Sequence, residues 1–272
     1  MMRVKIVQPP YPKAGEALKV LQWQRDFLES LEPGSVDLVL FPENSNCTGY
    51  SGLENMKQLI CGPGAVFVED IRRTAKRVNC TIMSGLMTLD EKGVLRNQLV
   101  VFPPDAEAFA PYTKTHLVEP ELAKKIEPGT GATSFEYKGV RYGAAICFDF
   151  YFPELFAQYA KQRIDVMLIV SHQRQERPLI LEMVTRTRAF DCGCTLLRSA
   201  PAMYTPDVGG KSMAVAPDGT IIADAGGLPG VISCEIDPHA RFRRAASYGE
   251  PEKIGDYREA LLLSRDHVDD GL

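Results

Sequence analysis

Three residues with reactive side chains directly follow apolar segments of the chain. Glu43 follows VDLVLFP, Lys114 follows FAPYT and Cys147 follows VRYGAAI. The carboxyl ends of strands are where α/β sheets gather their chemistry. A thiol is a nucleophile once it is deprotonated, a carboxylate can take its proton, and a cation favours its charged form. The three residue types together therefore indicate nucleophilic catalysis by a cysteine.

The surroundings of Cys147 favour this interpretation. Pro153 stands just inside the predicted start of a helix, where proline is common. The positive end of that helix is expected to stabilise a thiolate at Cys147 and to lower its pKa. A cysteine inside an apolar strand is more often a packing residue, so the residue types by themselves leave both interpretations open.

The elements that must position these residues follow from hydrophobic periodicity and from turn residues. Helices are predicted at 15–32, 64–78, 152–163 and 178–193. Strands are predicted at 3–8, 36–42, 80–89, 97–104, 164–171, 194–201, 210–217, 220–226 and 230–237, with a hairpin at 133–147. Helices and strands both run the length of the chain without strict alternation, which predicts layered sheets with helices outside.

Composition excludes several classes of protein. The 272 residues are 45% hydrophobic and 24% charged, which is typical of globular proteins. The net charge of −4 provides no basic field for nucleic acid, and the longest apolar runs are too short to span a membrane. Seven cysteines without a C-x-x-C pair give no zinc pattern and indicate free thiols in a reducing, cytoplasmic compartment.

Three sequence words around the reactive residues are more specific. FPENSNCTGY (41–50), YTKTHL (112–117) and GAAICFDFYFPEL (143–155) resemble three signatures of the carbon–nitrogen hydrolase (nitrilase-like) superfamily, in the same order. The segment GGKSMAVAPDGTIIADA resembles a later word of that family. The resemblance covers roughly residues 3–237.

The resemblance implies an α/β fold, a four-layer α-β-β-α sandwich. The pattern of helices and strands predicts a single domain over residues 1–272, and the polar composition after about residue 241 predicts an extended tail. It implies that Glu43 is the general base, Cys147 the nucleophile and Lys114 the cation that stabilises a tetrahedral intermediate. A second glutamate often follows the lysine in this family. We expect it to be Glu121, with Glu119 as the alternative. No metal and no organic cofactor is implied.

Further residues are expected to contact the substrate. The backbone N–H of Phe148 is placed to donate a hydrogen bond to an oxyanion. His172 follows a predicted strand and is expected to line the pocket. Arg174 or Arg177 is suited to bind a substrate carboxylate, although both are equally consistent with solvated loop residues. Relatives often carry an aromatic residue here and this chain has none, so the sequence names no specific substrate.

The predicted function is a cysteine-dependent amidohydrolase that cleaves a non-peptide C–N bond in a small linear amide or N-carbamoyl compound. The alternatives are a nitrilase, an acyl transferase of the same superfamily, and a catalytically silent binding protein. The predicted partners are a small-molecule amide and a second copy of the chain, with neither nucleic acid nor a membrane. The resemblance suggests a homodimer in which helices 153–163 and 178–192 pack across a two-fold axis.

Overall fold

A computed structural model describes residues 1–13 and 15–242. Its strands form two six-stranded mixed sheets. In chain order the strands are β1 (Met2–Gln8), β2 (Leu38–Phe41), β3 (Thr81–Leu89), β4 (Leu95–Phe102), β5 (Phe109–Thr113), β6 (Phe135–Tyr137), β7 (Val140–Ile146), β8 (Val166–Val170), β9 (Thr195–Ser199), β10 (Met213–Val215), β11 (Ile221–Asp224) and β12 (Gly230–Ile236). The strand orders are β12-β1-β2-β3-β4-β5 and β11-β10-β9-β8-β7-β6.

Helices cover the outer face of each sheet. They are α1 (Ala17–Glu29), α2 (Gly52–Cys61), α3 (Pro63–Val78), α4 (Glu119–Ala123), α5 (Pro153–Lys161) and α6 (Pro178–Cys192), with a 3₁₀ helix at Cys147–Tyr151. Helices α1 and α3 pack on the first sheet, and α5 and α6 pack on the second. The expected four-layer α-β-β-α sandwich is therefore confirmed.

The inner faces of the two sheets meet in one apolar core. Side chains of β1, β2 and β3 pack there against side chains of β7, β8 and β9. Strands β2 and β8 are buried along their whole length, because both of their faces are covered. This explains why their sequences are continuous apolar runs rather than alternating ones.

Both sheets use the same sequence of strand pairings. In the first sheet β12–β1 is antiparallel, β1–β2 and β2–β3 are parallel, and β3–β4 and β4–β5 are antiparallel. The second sheet repeats this order from β6 to β11. Each sheet therefore contains three mutually parallel strands, β1–β2–β3 and β7–β8–β9, and Glu43 and Cys147 follow the carboxyl ends of β2 and β7.

Three short elements were absent from the sequence-based prediction. Strand β5 contains Pro111, which disfavours a strand except at a sheet edge, and β5 is indeed an edge strand. Helix α2 buries only Met56 and Leu59 deeply, so its apolar periodicity is weak. Helix α4 is five residues long. The predicted tail from about 241 lies almost wholly in 243–272, outside the described residues.

Within residues 1–13 and 15–242, every helix is too short or too polar to pass through a lipid bilayer. The seven cysteines all fall in this part of the chain, and each is a free thiol.

Candidate active site

The three reactive residues lie at the ends of different strands. Glu43 is two residues past β2, Lys114 immediately follows β5, and Cys147 follows β7 as the first residue of the 3₁₀ helix. Glu43 and Lys114 are 2% and 1% exposed, while Cys147 is partly exposed. Charged side chains are rarely buried this deeply unless they are paired, so their contacts define the site.

The Lys114 ammonium lies between two carboxylates. Its Nζ is 3.1 Å from Glu43 Oε1 and 2.9 Å from Glu121 Oε1. The amide Nδ2 of Asn97 donates to the same two oxygens, at 2.7 Å and 3.0 Å. Glu121 is buried, whereas the alternative Glu119 is exposed to solvent. Glu121 is thus the second glutamate that contacts the lysine.

Charge pairing decides the ionisation of Lys114. Burial lowers the pKa of its ammonium, but the negative charges of Glu43 and Glu121, together with that of Cys147 when it is ionised, outweigh burial and raise the pKa above its ordinary value. Lys114 is therefore a permanent cation. Glu43 Oε2 is buried and has no hydrogen-bond partner within the described residues, which leaves that oxygen available to take a proton.

Cys147 has an unusual backbone conformation and an unactivated thiol. Its φ of +50° is in the left-handed region, which residues other than glycine seldom adopt. Burial and the charge of Glu43 together raise the pKa of its thiol to about 12, although Lys114 and the His172 backbone N–H act in the opposite direction. The expectation of a low thiol pKa is therefore wrong, because burial and the charge of Glu43 dominate the surroundings of Cys147. The resting residue is a neutral thiol that needs a base.

A buried carboxylate joins the Lys114 segment to the Cys147 segment. Asp149 is 0% exposed and accepts hydrogen bonds from Tyr112 Oη at 2.7 Å and from the Ile146 backbone N–H at 3.0 Å. It also accepts from the backbone N–H of His116 at 2.8 Å, and the His116 ring stacks on Phe152 at 3.6 Å. Asp149 thereby links the segment that contains Lys114 to the segment that contains Cys147.

Phe148 and His172, which are expected to contact the substrate, both lie close to the thiol of Cys147. Phe148 is half-buried next to Cys147, and its ring packs edge-on against Phe152 at 5.2 Å. The His172 backbone N–H approaches the Cys147 sulfur, and its ring nitrogen Nε2 is buried without a partner within the described residues. Burial lowers the pKa of His172 to about 3, helped by the charges of Arg174 and Lys114, so its imidazole is neutral.

The two loop arginines, Arg174 and Arg177, differ in their position relative to the site. Arg174 is exposed, lies over the ring of Tyr11 and donates to Tyr11 Oη at 2.9 Å. The Tyr11 ring is 5.1 Å from the His172 ring, so Arg174 stands at the outer side of the site. Arg177 is the residue before α6 and lies farther along the loop. Tyr11 also lines a groove of about 650 Å³ that Tyr50 and Tyr204 help to form.

Two polar residues of this site were not found from the sequence. Asn97 is completely buried in β4, and Gln173 donates to the Cys147 carbonyl at 3.3 Å. The one signal for Asn97 was a polar pair, Asn-Gln, opening an otherwise apolar strand. Nothing in the sequence distinguished Gln173 from its solvated neighbours.

Comparisons with known proteins agree with the family resemblance of the sequence. The carbon-nitrogen hydrolase family model matches residues 3–244. An omega-amidase of Xenopus tropicalis is 28% identical over 208 residues, covering 68% of this chain and 75% of the relative. A 2-oxoglutaramate amidase of Bacillus subtilis is 24% identical over 233 residues, covering 84% and 86%.

Solved structures show the same fold. A carbon-nitrogen hydrolase superfamily protein from Xanthomonas campestris superimposes with a TM-score of 0.69 at 20% identity, covering 87% of this chain and 90% of that one. An amidase variant from Nesterenkonia sp. AN1, with the acetamide moiety of fluoroacetamide added covalently at its active-site cysteine, superimposes with a TM-score of 0.69 at 18% identity, covering 87% and 91%.

Proposed function

Because this chain belongs to the carbon-nitrogen hydrolase family, and is thus a hydrolase of carbon–nitrogen bonds other than peptide bonds, we propose that Cys147, Glu43, Lys114 and Glu121 form its catalytic centre. The observation that carries this proposal is the buried Glu43–Lys114–Glu121 cluster beside the thiol. An ammonium and two carboxylates are costly to bury and contribute little to folding. Their presence next to a neutral thiol is accounted for by catalysis.

The first half-reaction forms a thioester. Glu43 takes the proton of the Cys147 thiol as the sulfur bonds to the amide carbonyl carbon. The electron pair of the C=O bond moves onto oxygen, where the Lys114 ammonium and backbone N–H groups stabilise it. The intermediate collapses, the C–N bond breaks, and Glu43 returns its proton to the departing nitrogen. Ammonia or an amine leaves, and the acyl group stays on sulfur.

The second half-reaction releases the acid. Glu43 takes a proton from water as the water oxygen bonds to the thioester carbon. The C–S bond then breaks, and the proton returns to the sulfur. Lys114 keeps its proton throughout because its carboxylate neighbours hold the pKa high, so it stabilises charge without exchanging protons. Glu121 keeps the ammonium in place through the same ion pair.

The proposed substrate is a small linear amide that carries a carboxylate, such as an ω-amide, or an N-carbamoyl compound. Arg174 is an exposed guanidinium held by Tyr11 and suited to bind a carboxylate. His172, as a neutral imidazole with an unpaired buried nitrogen, offers a hydrogen bond instead of an ion pair to the substrate chain, and Phe148 offers its backbone N–H. The omega-amidase relatives support this substrate class.

The remaining features of the proposal concern the whole chain. We propose that residues 1–272 form one catalytic domain, since the two sheets share one core and the family model spans residues 3–244 of the chain. The free cysteines favour a reducing, cytoplasmic location. Exposed apolar side chains on α6, including Leu179 and Met183, favour a homodimer.

The test is ammonia release from a panel of ω-amides, N-carbamoyl amino acids, short neutral amides and nitriles. We expect native protein to prefer carboxylate-bearing amides, and Cys147→Ala to release no ammonia while keeping its circular dichroism spectrum and its unfolding transition. Hydrolysis by Cys147→Ala would refute the mechanism. Turnover of nitriles alone would identify a nitrilase. Transfer of the acyl group to an added amine without release of the acid would identify an acyl transferase. No turnover of any compound in the panel would identify a binding protein.

A further inference from the structure

Arg198, in β9, is a buried guanidinium that lacks a carboxylate partner. It is 0% exposed, and within the described residues no carboxylate lies at ion-pair distance from it. Its Nη1 donates to the carbonyls of Gly210 and Lys211 at 2.6 and 2.8 Å, and its Nε has no hydrogen-bond partner in the described part of the chain. A buried charge is strongly unfavourable unless it is balanced by another charge. The absence of a counter-ion therefore needs an explanation.

A second buried arginine, on the helix that packs against the second sheet, shows the usual arrangement. Arg188, on α6, forms an ion pair with Asp191 at 2.8 Å and donates from Nε to the Phe150 carbonyl at 3.0 Å. Both arginines thus reach the segment that begins at Cys147. Arg188 is neutralised by a carboxylate, whereas Arg198 is not.

Arg198 is linked to the nucleophile through Gln173. Its Nη2 donates to Gln173 Oε1 at 2.7 Å, and Gln173 Nε2 donates to the Cys147 carbonyl at 3.3 Å. A guanidinium can only donate, so it holds the oxygen of the Gln173 amide on its own side and turns the NH₂ group towards Cys147. That hydrogen bond restrains a residue whose left-handed φ is unfavourable.

The groups that act on Arg198 identify the charge it faces. Burial lowers its pKa to about 10, and the negative charge of Cys147, then those of Tyr151 and Asp224, oppose that effect. The thiol is neutral at rest, so the first-named of these charges acts on the guanidinium only when negative charge forms at the nucleophile. Its field favours that charge across a medium of low dielectric constant.

We propose that Arg198 is a positioning residue for the nucleophile, which holds the Cys147 carbonyl through Gln173 and favours negative charge on the Cys147 sulfur. This inference rests on the proposed function, in which Cys147 attacks the substrate. It assigns a role to a residue that touches neither the substrate nor the Glu43–Lys114–Glu121 cluster.

The test is the rate of alkylation of Cys147 by iodoacetamide between pH 7 and 9, read peptide by peptide by mass spectrometry. The exposed Cys61 in the same sample is the internal reference. In Arg198→Met we expect the alkylation rate of Cys147 relative to that of Cys61 to fall about tenfold. This is the change in thiolate fraction if loss of the positive charge raises the thiol pKa by about one unit. Amidase kcat should fall with it, while KM changes less than about twofold.

Two variants separate charge from packing. Arg198→Lys keeps the positive charge and should recover most of the alkylation rate. Arg188→Met also removes a buried arginine close to the Cys147 segment, and it should lower the unfolding temperature yet leave the relative alkylation rate unchanged. An unchanged rate in Arg198→Met, or an equal fall in Arg188→Met, would overturn the inference.

A further variant keeps the test decisive if Arg198→Met does not fold. Gln173→Met cuts the link and leaves the guanidinium in place, and it should lower the relative alkylation rate at least about threefold. A rate equal to that of native protein would contradict the positioning role. If Cys147→Ala retained turnover, the proposed function would be refuted. If Cys147→Ala were inactive but Arg198→Met kept the native alkylation rate, only the role of Arg198 would be refuted.

Discussion

The buried cluster of Glu43, Lys114 and Glu121 contains two negative charges and one positive charge. The surplus negative charge falls on the carboxylates, and Asn97 donates to both of them, which spreads it over two hydrogen-bonded oxygens. Oε2 of Glu43 remains without such a donor. The arrangement thus distinguishes two otherwise similar glutamates: Glu43 has an oxygen available for a proton, while Glu121 Oε2 accepts from the Val118 backbone N–H at 3.0 Å.

The first prediction tests this division of labour. Glu121→Gln removes one of the two anions that hold the Lys114 ammonium and places an NH₂ group near its donors, so kcat should fall by about tenfold or more with a smaller change in KM. Ammonia release measures both constants. Glu119→Gln is the matched control, two residues away and exposed, and should keep native kinetics. Equal losses in the two variants would contradict a specific role for Glu121.

The sequence reveals some of these residues and hides others for a physical reason. Glu43, Lys114 and Cys147 are reactive types placed just after apolar segments, so both type and position mark them. Asn97 and Arg198 lie inside strands and act through side-chain hydrogen bonds formed only in the folded protein. A polar residue in a strand predicts solvent exposure in the absence of that partner, and its pairing cannot be derived from local pattern.

At the scale of elements, β3 sets the position of the Glu43 loop. A Cβ atom added at Gly85 would lie 2.6 Å from Glu43 Cα and 2.9 Å from the Pro42 carbonyl oxygen. The Gly85 carbonyl also accepts from the Ser45 backbone N–H at 2.9 Å. The loop that carries the base therefore rests directly on the backbone of the neighbouring strand, and only glycine permits this approach.

The second prediction follows from that contact. Gly85→Ala should displace the Glu43 backbone, lower kcat by about tenfold or more, and lower the free energy of unfolding by about 1–3 kcal/mol. Urea unfolding and ammonia release measure the two effects. Gly230→Ala is the control, since no atom lies within 4 Å of the added Cβ, and it should stay within about 0.5 kcal/mol of native. Native activity in Gly85→Ala would show that the loop has room to move.

Element prediction succeeded where burial shapes the sequence. The continuous apolar runs of β2 and β8 and the amphipathic periodicity of α1 and α3 gave their positions closely. Elements whose residues are half-exposed leave no such pattern. Strand β5 has only Tyr112 fully buried, and it was missed although it carries the chain into Lys114.

At the scale of the whole molecule, one side of the sandwich carries an apolar surface. On α6, Leu179 and Met183 are 70% and 53% exposed. They line a groove of about 530 Å³ together with Ile180, Arg186 and Thr187. An apolar helical surface of this kind is unfavourable in water and typical of an interface between subunits. Helix α6 also lies directly over the second sheet, so a partner bound there would cover the layer that contains Arg198.

The last prediction concerns this surface. Native protein should be a dimer at micromolar concentration by light scattering, and Met183→Glu should shift it towards monomer, because two carboxylates would face each other across a two-fold contact. Val66→Glu is the matched control: Val66 is 50% exposed on α3, in the opposite outer layer, and its variant should remain a dimer. A native monomer would refute the proposal, and dissociation of both variants alike would place the interface elsewhere. Because α6 packs on the sheet that holds Arg198, a monomeric Met183→Glu that keeps full amidase activity would further show that each subunit positions its nucleophile unaided.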